Sequence, residues 1–217
     1  MAPDITLQDL VQLALRQAGD GRRIVVALAG PPGAGKSTAA GRLTQSLNAA
    51  RPGVAALFPM DGYHFDDAVL NARGHRPRKG APHTFDLGGY RAMLDRLRAD
   101  DATDIAVPVF DRTLEIARAG ADIVPGPARI IVTEGNYLLL DADGWRELRS
   151  RFDIAVFVTA PMAVIEERLR RRWLGFQYDD AALRMKMEGN DLPNVRLVLG
   201  SSGPADATLR TDGAELV

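Results

Sequence analysis

Cysteine is absent from the 217 residues, which excludes disulfides, zinc–thiolate centres and thiol nucleophiles. Histidine is scarce: the three present are scattered without metal-ligand spacing, so no zinc site is expected. Neither sign of charge dominates. Lys and Arg total 27 against 28 Asp and Glu, for a formal net charge of −1. A dedicated nucleic-acid binder carries a basic excess, and this chain has none, so no nucleic-acid partner is expected. No apolar run approaches the roughly 18 residues that suggest a membrane span. The stretch "MAPDITLQDLVQLALRQAGDG" has acids early and lacks the apolar run of a secretory signal. A cytoplasmic protein without a membrane partner is the expectation. With 46% hydrophobic and 25% charged residues, the chain has the composition of one folded domain spanning 1–217.

What is present alternates between short apolar runs and helical patterns. Helical spacing of Leu7, Leu10, Val11, Ala14 and Leu15 predicts a helix over 5–18, stopped by Gly19 and Gly21. "RRIVVALAG" (22–30), "VAALFPM" (54–60), "ARIIVTEG" (128–135) and "FDIAVFVTA" (152–160) read as strands buried on both faces. "DIAVPVFDR" (104–112) is a further strand candidate, with Pro108 marking an edge or an end. "NVRLVLG" (194–200) reads as a last strand, and the tail from Ser201 has only weak periodicity. Helices are predicted from Lys36, at "YRAMLDRLRA", at "WRELRSR" and across 161–189; "NARGHRPRKGAPHTFDLGG" (71–89) reads as a long loop. Strands alternating with helices predict an α/β fold of three layers, with a mainly parallel five-stranded sheet between helices.

"GPPGAGKST" (30–38) fits the pattern G-x-x-x-x-G-K-[ST] and sits between a buried strand and a helix. Gly30, Pro31, Pro32, Gly33, Ala34, Gly35, Lys36, Ser37 and Thr38 form the predicted phosphate loop. Its glycines let successive backbone N–H groups converge on phosphate oxygens, and the following helix adds its positive end. Lys36 can reach the β- and γ-phosphates, and the Ser37 hydroxyl can ligate Mg²⁺. Glu134 ends a buried strand, on the rim where open α/β sheets bind ligands; it either assists Mg²⁺ or merely caps the strand. Asp61, in "MDGYHF", also follows a buried strand and is either a turn residue or the carboxylate that takes a proton from an acceptor alcohol. No N-K-x-D base-recognition sequence of GTPases occurs.

"GPPGAGKST", "PMDGYHF", "RKGAPHTFD", "VFDRTLEIAR", "VTEGNYLLL" and "GNDLPN" occur together and in order over about residues 22 to 200. That set resembles the phosphoribulokinase/uridine kinase/pantothenate kinase group of P-loop kinases, in particular the bacterial nucleoside/nucleotide kinase-like branch often described as fructose transport system kinases. The resemblance implies ATP as co-substrate and Mg²⁺ as cofactor. It implies Asp61 as general base, Lys36 and Ser37 on nucleotide and metal, and Glu134 as the strand-end carboxylate. Tyr63 and His64 become candidate substrate contacts, although His64 also reads as a hydrogen-bonded loop residue. Phe85 and Asp86 would lie in a loop folded over the acceptor, with Arg112 and Arg118 as donors in its pocket. A helical lid near 161–189 would bring Arg171 or Arg172 to the transferring phosphoryl group.

Uridine kinases carry aromatic and His residues where this chain has "FDRTLEIAR" without His, and another lid arginine near Gly175. Pantothenate kinases of the group are usually longer. A sugar or related polyol is thus the leading small-molecule acceptor; a nucleoside or pantothenate kinase is the alternative, and a regulatory ATPase acting on a protein partner is the reading from another class. "RGHRPRK" (73–79) is expected to meet an anionic small substrate or the nucleotide. His75 and His83 are expected at the surface, and Trp145 and Trp173 in packing. A homodimer is compatible with the sequence, in which interface and core helices look alike.

Overall fold

The computed structural model describes residues 2–19 and 21–212; the outer ends of the expected 1–217 domain lie outside them. The chain begins with α1 (Leu7–Ala18), β1 (Ile24–Ala29), α2 (Lys36–Ala50) and β2 (Ala55–Pro59). It continues through α3 (Asp67–Ala72), α4 (Leu87–Ala99), β3 (Ile105–Asp111), β4 (Ile116–Val124) and β5 (Ile130–Gly135). The last third holds β6 (Ile154–Thr159), α5 (Met162–Gly175), α6 (Asp180–Lys186), α7 (Leu192–Ser201) and β7 (Ala207–Arg210).

Five strands form one parallel sheet in the order β2-β5-β1-β6-β7, so the central strand is β1. Both its faces are covered. Val25, Ala27 and Ala29 point into a core completed by Tyr90, Leu94 and Leu97 of α4, with Leu148 and Val198. Ile24, Val26 and Leu28 point the other way, against Leu10 and Ala14 of α1 and Leu43 and Leu47 of α2. A strand buried on both sides has no polar alternation, which is why β1, β2, β5 and β6 read as continuous apolar runs. The expected three-layer α/β/α fold with a five-stranded parallel sheet is the observed one.

Three elements depart from expectation. Residues 194–200 form no strand: they belong to helix α7, which starts with Pro193 in its first turn, where the missing N–H is harmless. Val195 and Val198 are fully buried while Leu197 and Leu199 are 36% and 46% exposed, so the period is helical. The fifth strand is instead the four-residue β7, too short to display a period. The candidate strand over 104–112 stays out of the main sheet: β3 pairs antiparallel with β4 as a two-stranded hairpin, and its register shifts between Val107 and Val109, around Pro108. The long loop is also more ordered than it reads. Asp66 caps α3 by accepting from the Ala68 N–H, and short 3₁₀ turns follow at Arg76–Arg78 and Pro82–Thr84.

The helical period of α7 makes a direct prediction. Leu197→Asp should shift unfolding free energy by no more than about 0.5 kcal/mol, whereas Val198→Asp buries an unpaired charge and should cost at least about 3 kcal/mol. Urea titrations of both variants check it. Comparable losses at the two positions would contradict the helix.

Candidate active site

Two loops and a hairpin meet at the carboxyl end of β1. The phosphate loop turns beneath β6: a Cβ on Gly30 would lie 2.1 Å from the Val158 carbonyl oxygen, so only glycine fits there. Gly33 and Gly35 have φ of +80° and +86°, a region glycine enters without strain, and Gly35 leads directly into α2.

Lys36 follows, only 7% exposed. Its Nζ donates to the Pro31 carbonyl at 2.9 Å and to Asn136 Oδ1 at 2.7 Å. Burial pushes the amine down to about 8, against the pull of the Glu134 and Asp61 carboxylates. Ser37 Oγ donates to Glu134 Oε1 at 2.9 Å. Glu134 is itself buried, and that burial raises its pKa, as does Asp61 nearby. Behind it, the Tyr90 hydroxyl lies 2.6 Å from Thr133 Oγ1, which donates to the Phe58 carbonyl and fixes the ends of β5 and β2 together.

Asp61 sits in a 3₁₀ turn, Met60–Tyr63, directly after β2. A Cβ on its neighbour Gly62 would come within 2.4 Å of the Pro108 carbonyl oxygen, so this glycine lets the hairpin approach. The approach delivers Arg112, whose Nη2 reaches Asp61 Oδ2 at 3.0 Å. A cleft of about 130 Å³ is lined by Pro32, Gly33, Gly35, Lys36, Ser37, Thr38, Asp61, Arg112, Glu134, Asn136 and Arg172. A neighbouring open cavity of about 170 Å³ shares Ser37, Asp61, Arg112 and Glu134 with it and is also lined by Leu57, Pro59, Val109 and Phe110.

The expected site residues therefore divide. Lys36, Ser37, Asp61, Glu134, Arg112 and Arg172 converge on the cleft. Arg171 faces outward, paired with Glu167 at 3.1 Å, and Arg118 pairs with Asp111 along the hairpin at 3.1 Å. Tyr63, His64 and Phe85 form a layer behind the cleft. Tyr63 packs edge-on to Phe58 and Tyr90, and Phe85 is 4% exposed rather than folded over an opening. His64 bonds through Nδ1 to the Asp61 carbonyl at 2.8 Å, its ring 4.0 Å from Phe85 and 4.7 Å from Phe110. Burial lowers its pKa.

The basic loop is turned to internal use. Arg78 donates to the Gly189 carbonyl at 2.6 Å and to Asn194 Oδ1 at 3.1 Å, while the buried Lys79 amine pairs with Asp67 at 2.6 Å. His83 is exposed as expected, with His75 half-buried against it, and Trp145 is in the core. Trp173 is half-buried and donates to Asp191 at 2.5 Å.

Asn136 and Arg168 were not expected, whereas Phe110 opens the "FDRTLEIAR" segment that the resemblance implies in the substrate pocket. Asn136 lies two residues beyond Glu134, in the turn that follows β5. Arg168 donates to the Thr211 carbonyl at 2.6 Å and Thr211 Oγ1 at 2.9 Å, beside Gly33. It is one turn from Arg172, and the buried Ile165 and Leu169 mark the inward side of α5. That spacing was the available signal.

No family model matches the chain. It is 42% identical to a candidate fructose transport system kinase from Silicibacter sp. TM1040, superposing with a TM-score of 0.85 over 94% of this chain and 98% of that one. It is 35% identical over 195 residues to the uncharacterised Escherichia coli protein YggC, covering 89% of this chain and 80% of that protein. A candidate uridine kinase of Schizosaccharomyces pombe is 28% identical over 206 residues, 91% of this chain and 87% of its own. The chain belongs to the P-loop kinases, in the group that includes uridine and pantothenate kinases. A kinase of this family uses ATP as phosphoryl donor, and this kinase is a phosphotransferase. Among the described residues, the kinase has no helix long and apolar enough to cross a membrane.

The depressed Lys36 pKa fixes the sign of a proton linkage. Lys36 of the free kinase loses its proton as pH rises through about 8, and an adjacent triphosphate restores it. Mg·ATP binding at pH 8 should therefore take up about half a proton more in the native kinase than in Lys36→Met, and the difference should vanish near pH 6.5. Calorimetry in buffers of different ionisation enthalpy measures this. Equal uptake by the two proteins at pH 8 would contradict the assignment.

Proposed function

We propose that this kinase transfers the γ-phosphoryl group of Mg·ATP to a hydroxyl group of a small metabolite. The observation that carries the reading is the position of Asp61: it shares one cleft with the phosphate-loop residues Lys36 and Ser37 and also lines the adjoining cavity. A hydrolase or a regulatory ATPase acting on a protein partner has no need of a second chamber with a carboxylate at the junction.

The phosphate loop and the first turn of α2 bind the β- and γ-phosphates through backbone N–H groups, and the protonated Lys36 amine moves from Asn136 and Pro31 to the phosphate oxygens. Ser37 and Glu134 present hard oxygen donors already 2.9 Å apart, a donor set that suits Mg²⁺, which when bound neutralises phosphate charge. Asp61 orients the acceptor hydroxyl and takes its proton as the new O–P bond forms and the bond to the β-phosphate oxygen breaks. Arg172 makes no hydrogen bond or ion pair among the described residues, so its guanidinium is available to the equatorial oxygens of the transferring group. It stands on α5, which packs by Ile165 and Leu169 on a small cluster with Val195, and α5 with α6 forms the lid.

Lys36→Ala should abolish turnover. Asp61→Asn should lower kcat about 10²- to 10⁴-fold while the dissociation constant for Mg·ATP changes less than about twofold. ADP release across sugars, sugar phosphates, hydroxy acids, nucleosides and pantothenate, with nucleotide binding measured in parallel, tests both. Full turnover by Asp61→Asn would remove Asp61 as the base.

A further inference from the structure

The phosphate loop is held from behind as well as from within the cleft. Two of its carbonyls, on Gly33 and Ala34, stay outside the hydrogen-bond ladder of α2, which begins with the Ala39 N–H on the Gly35 carbonyl at 3.0 Å. Both are met by side chains from elsewhere in the chain. Thr211, just past the end of β7 and 2% exposed, donates its hydroxyl proton to the Ala34 carbonyl at 2.7 Å. A second acceptor, the Thr159 carbonyl, is farther off at 3.3 Å. Having a single proton, the hydroxyl accepts in turn from Arg168 Nη1 at 2.9 Å. Arg168 also holds the Thr211 carbonyl through Nη2 at 2.6 Å and reaches the Gly33 carbonyl at 3.4 Å. It can do so because α5 lies against the loop: a Cβ on Gly33 would come within 3.0 Å of the Ile165 carbonyl oxygen.

What this chain of donors fixes is a peptide plane. In a trans peptide the C=O and N–H point in opposite directions, so a partner on the Ala34 carbonyl also sets the direction of the Gly35 N–H. That N–H has no partner among the described residues, and Gly35 lines the cleft with Lys36 and Ser37. Local sequence does not set the plane by itself, because Gly35, at φ +86°, is a residue that tolerates many backbone conformations. Ala34 is fully buried. Released from Thr211, its carbonyl would gain by turning toward the wet cleft, where its negative end would face the phosphates.

We infer that Thr211 and Arg168 are positioning residues for the nucleotide: clasped together behind the phosphate loop, they aim the Gly35 N–H at the triphosphate. The inference rests on the phosphate-binding role of the loop. Neither residue has to touch the nucleotide for this. The clasp acts on the phosphates and is indifferent to the base.

That indifference gives the test. Binding of Mg·AMP-PNP and of Mg·tripolyphosphate, which has no base, is measured by calorimetry on the whole protein, well below the melting temperature of each variant. Backbone amides are followed by ¹⁵N NMR in the same titrations. In the native protein the Gly35 amide should shift with either ligand. Thr211→Val keeps the side-chain shape without the hydroxyl; it should weaken both ligands about tenfold or more and diminish the Gly35 response. Thr211→Ser restores the hydroxyl and should bind both within about twofold of the native protein. Arg168→Met should also weaken both, and the double variant should lose less than the two single losses multiplied, since both act through one clasp. Should Thr211→Val fail to fold, the native Gly35 signal and Arg168→Met still decide. A Gly35 amide indifferent to both ligands, a loss confined to AMP-PNP, equal losses in Thr211→Val and Thr211→Ser, or fully multiplicative losses in the double variant would each overturn the inference. Failure of the native protein to bind Mg·AMP-PNP would instead contradict the phosphate-loop reading itself.

Discussion

A lysine amine buried at the end of the central strand is the constraint around which the rest is arranged. Its position is fixed by a loop that can pass under β6 only because Gly30 has no side chain. Taking an ammonium out of water is expensive, and the neighbouring groups meet that cost in part: a carbonyl and an amide accept from it, and two carboxylates face it across the cleft. Those carboxylates pay in turn, since Glu134 is buried beside Asp61 and is pushed toward its neutral form. A site of this kind is unsatisfied until polyanion and cation arrive together. The triphosphate gives Lys36 its counter-charge, and a metal ion would relieve the crowding of Glu134 and Asp61.

The parts of the molecule that are not sheet hold this centre in place. The hairpin reaches Asp61 through the gap left at Gly62, and its turn is pinned by Lys79, whose amine also meets the Glu115 carbonyl. The backbone of Lys79 accepts from Asn190, in the π-helical turn Met187–Asp191 that follows α6. The basic loop therefore ties the hairpin to the turn that follows α6. Its Arg76, Arg78 and Lys79 side chains all make contacts within the protein.

How much of this was legible in the sequence depended on burial. Strands covered on both faces announce themselves as unbroken apolar runs, and four of the five core strands did so. Strand β4 runs largely through solvent and has neither a run nor an alternation to read. Strand β7 is short, and the apolar residues of α7 mimic a strand until their spacing is compared with burial. The same holds for the site. The phosphate loop, Asp61 and Glu134 could be found because each follows a buried strand on a common rim. Phe110 and Arg112 depend on how the hairpin folds back, which no local pattern encodes; only the motif resemblance pointed to their segment. Choosing among Arg168, Arg171 and Arg172 required knowing which side of α5 faces the phosphate loop.

The fate of the transferred phosphoryl group tests the central claim most directly. The protein would be incubated with γ-labelled Mg·ATP and a metabolite extract, and the labelled products resolved. A kinase predicts label in a phosphate monoester that forms only when protein and extract are both present. Label appearing only as inorganic phosphate, at a rate indifferent to the extract, would contradict phosphoryl transfer to a small molecule.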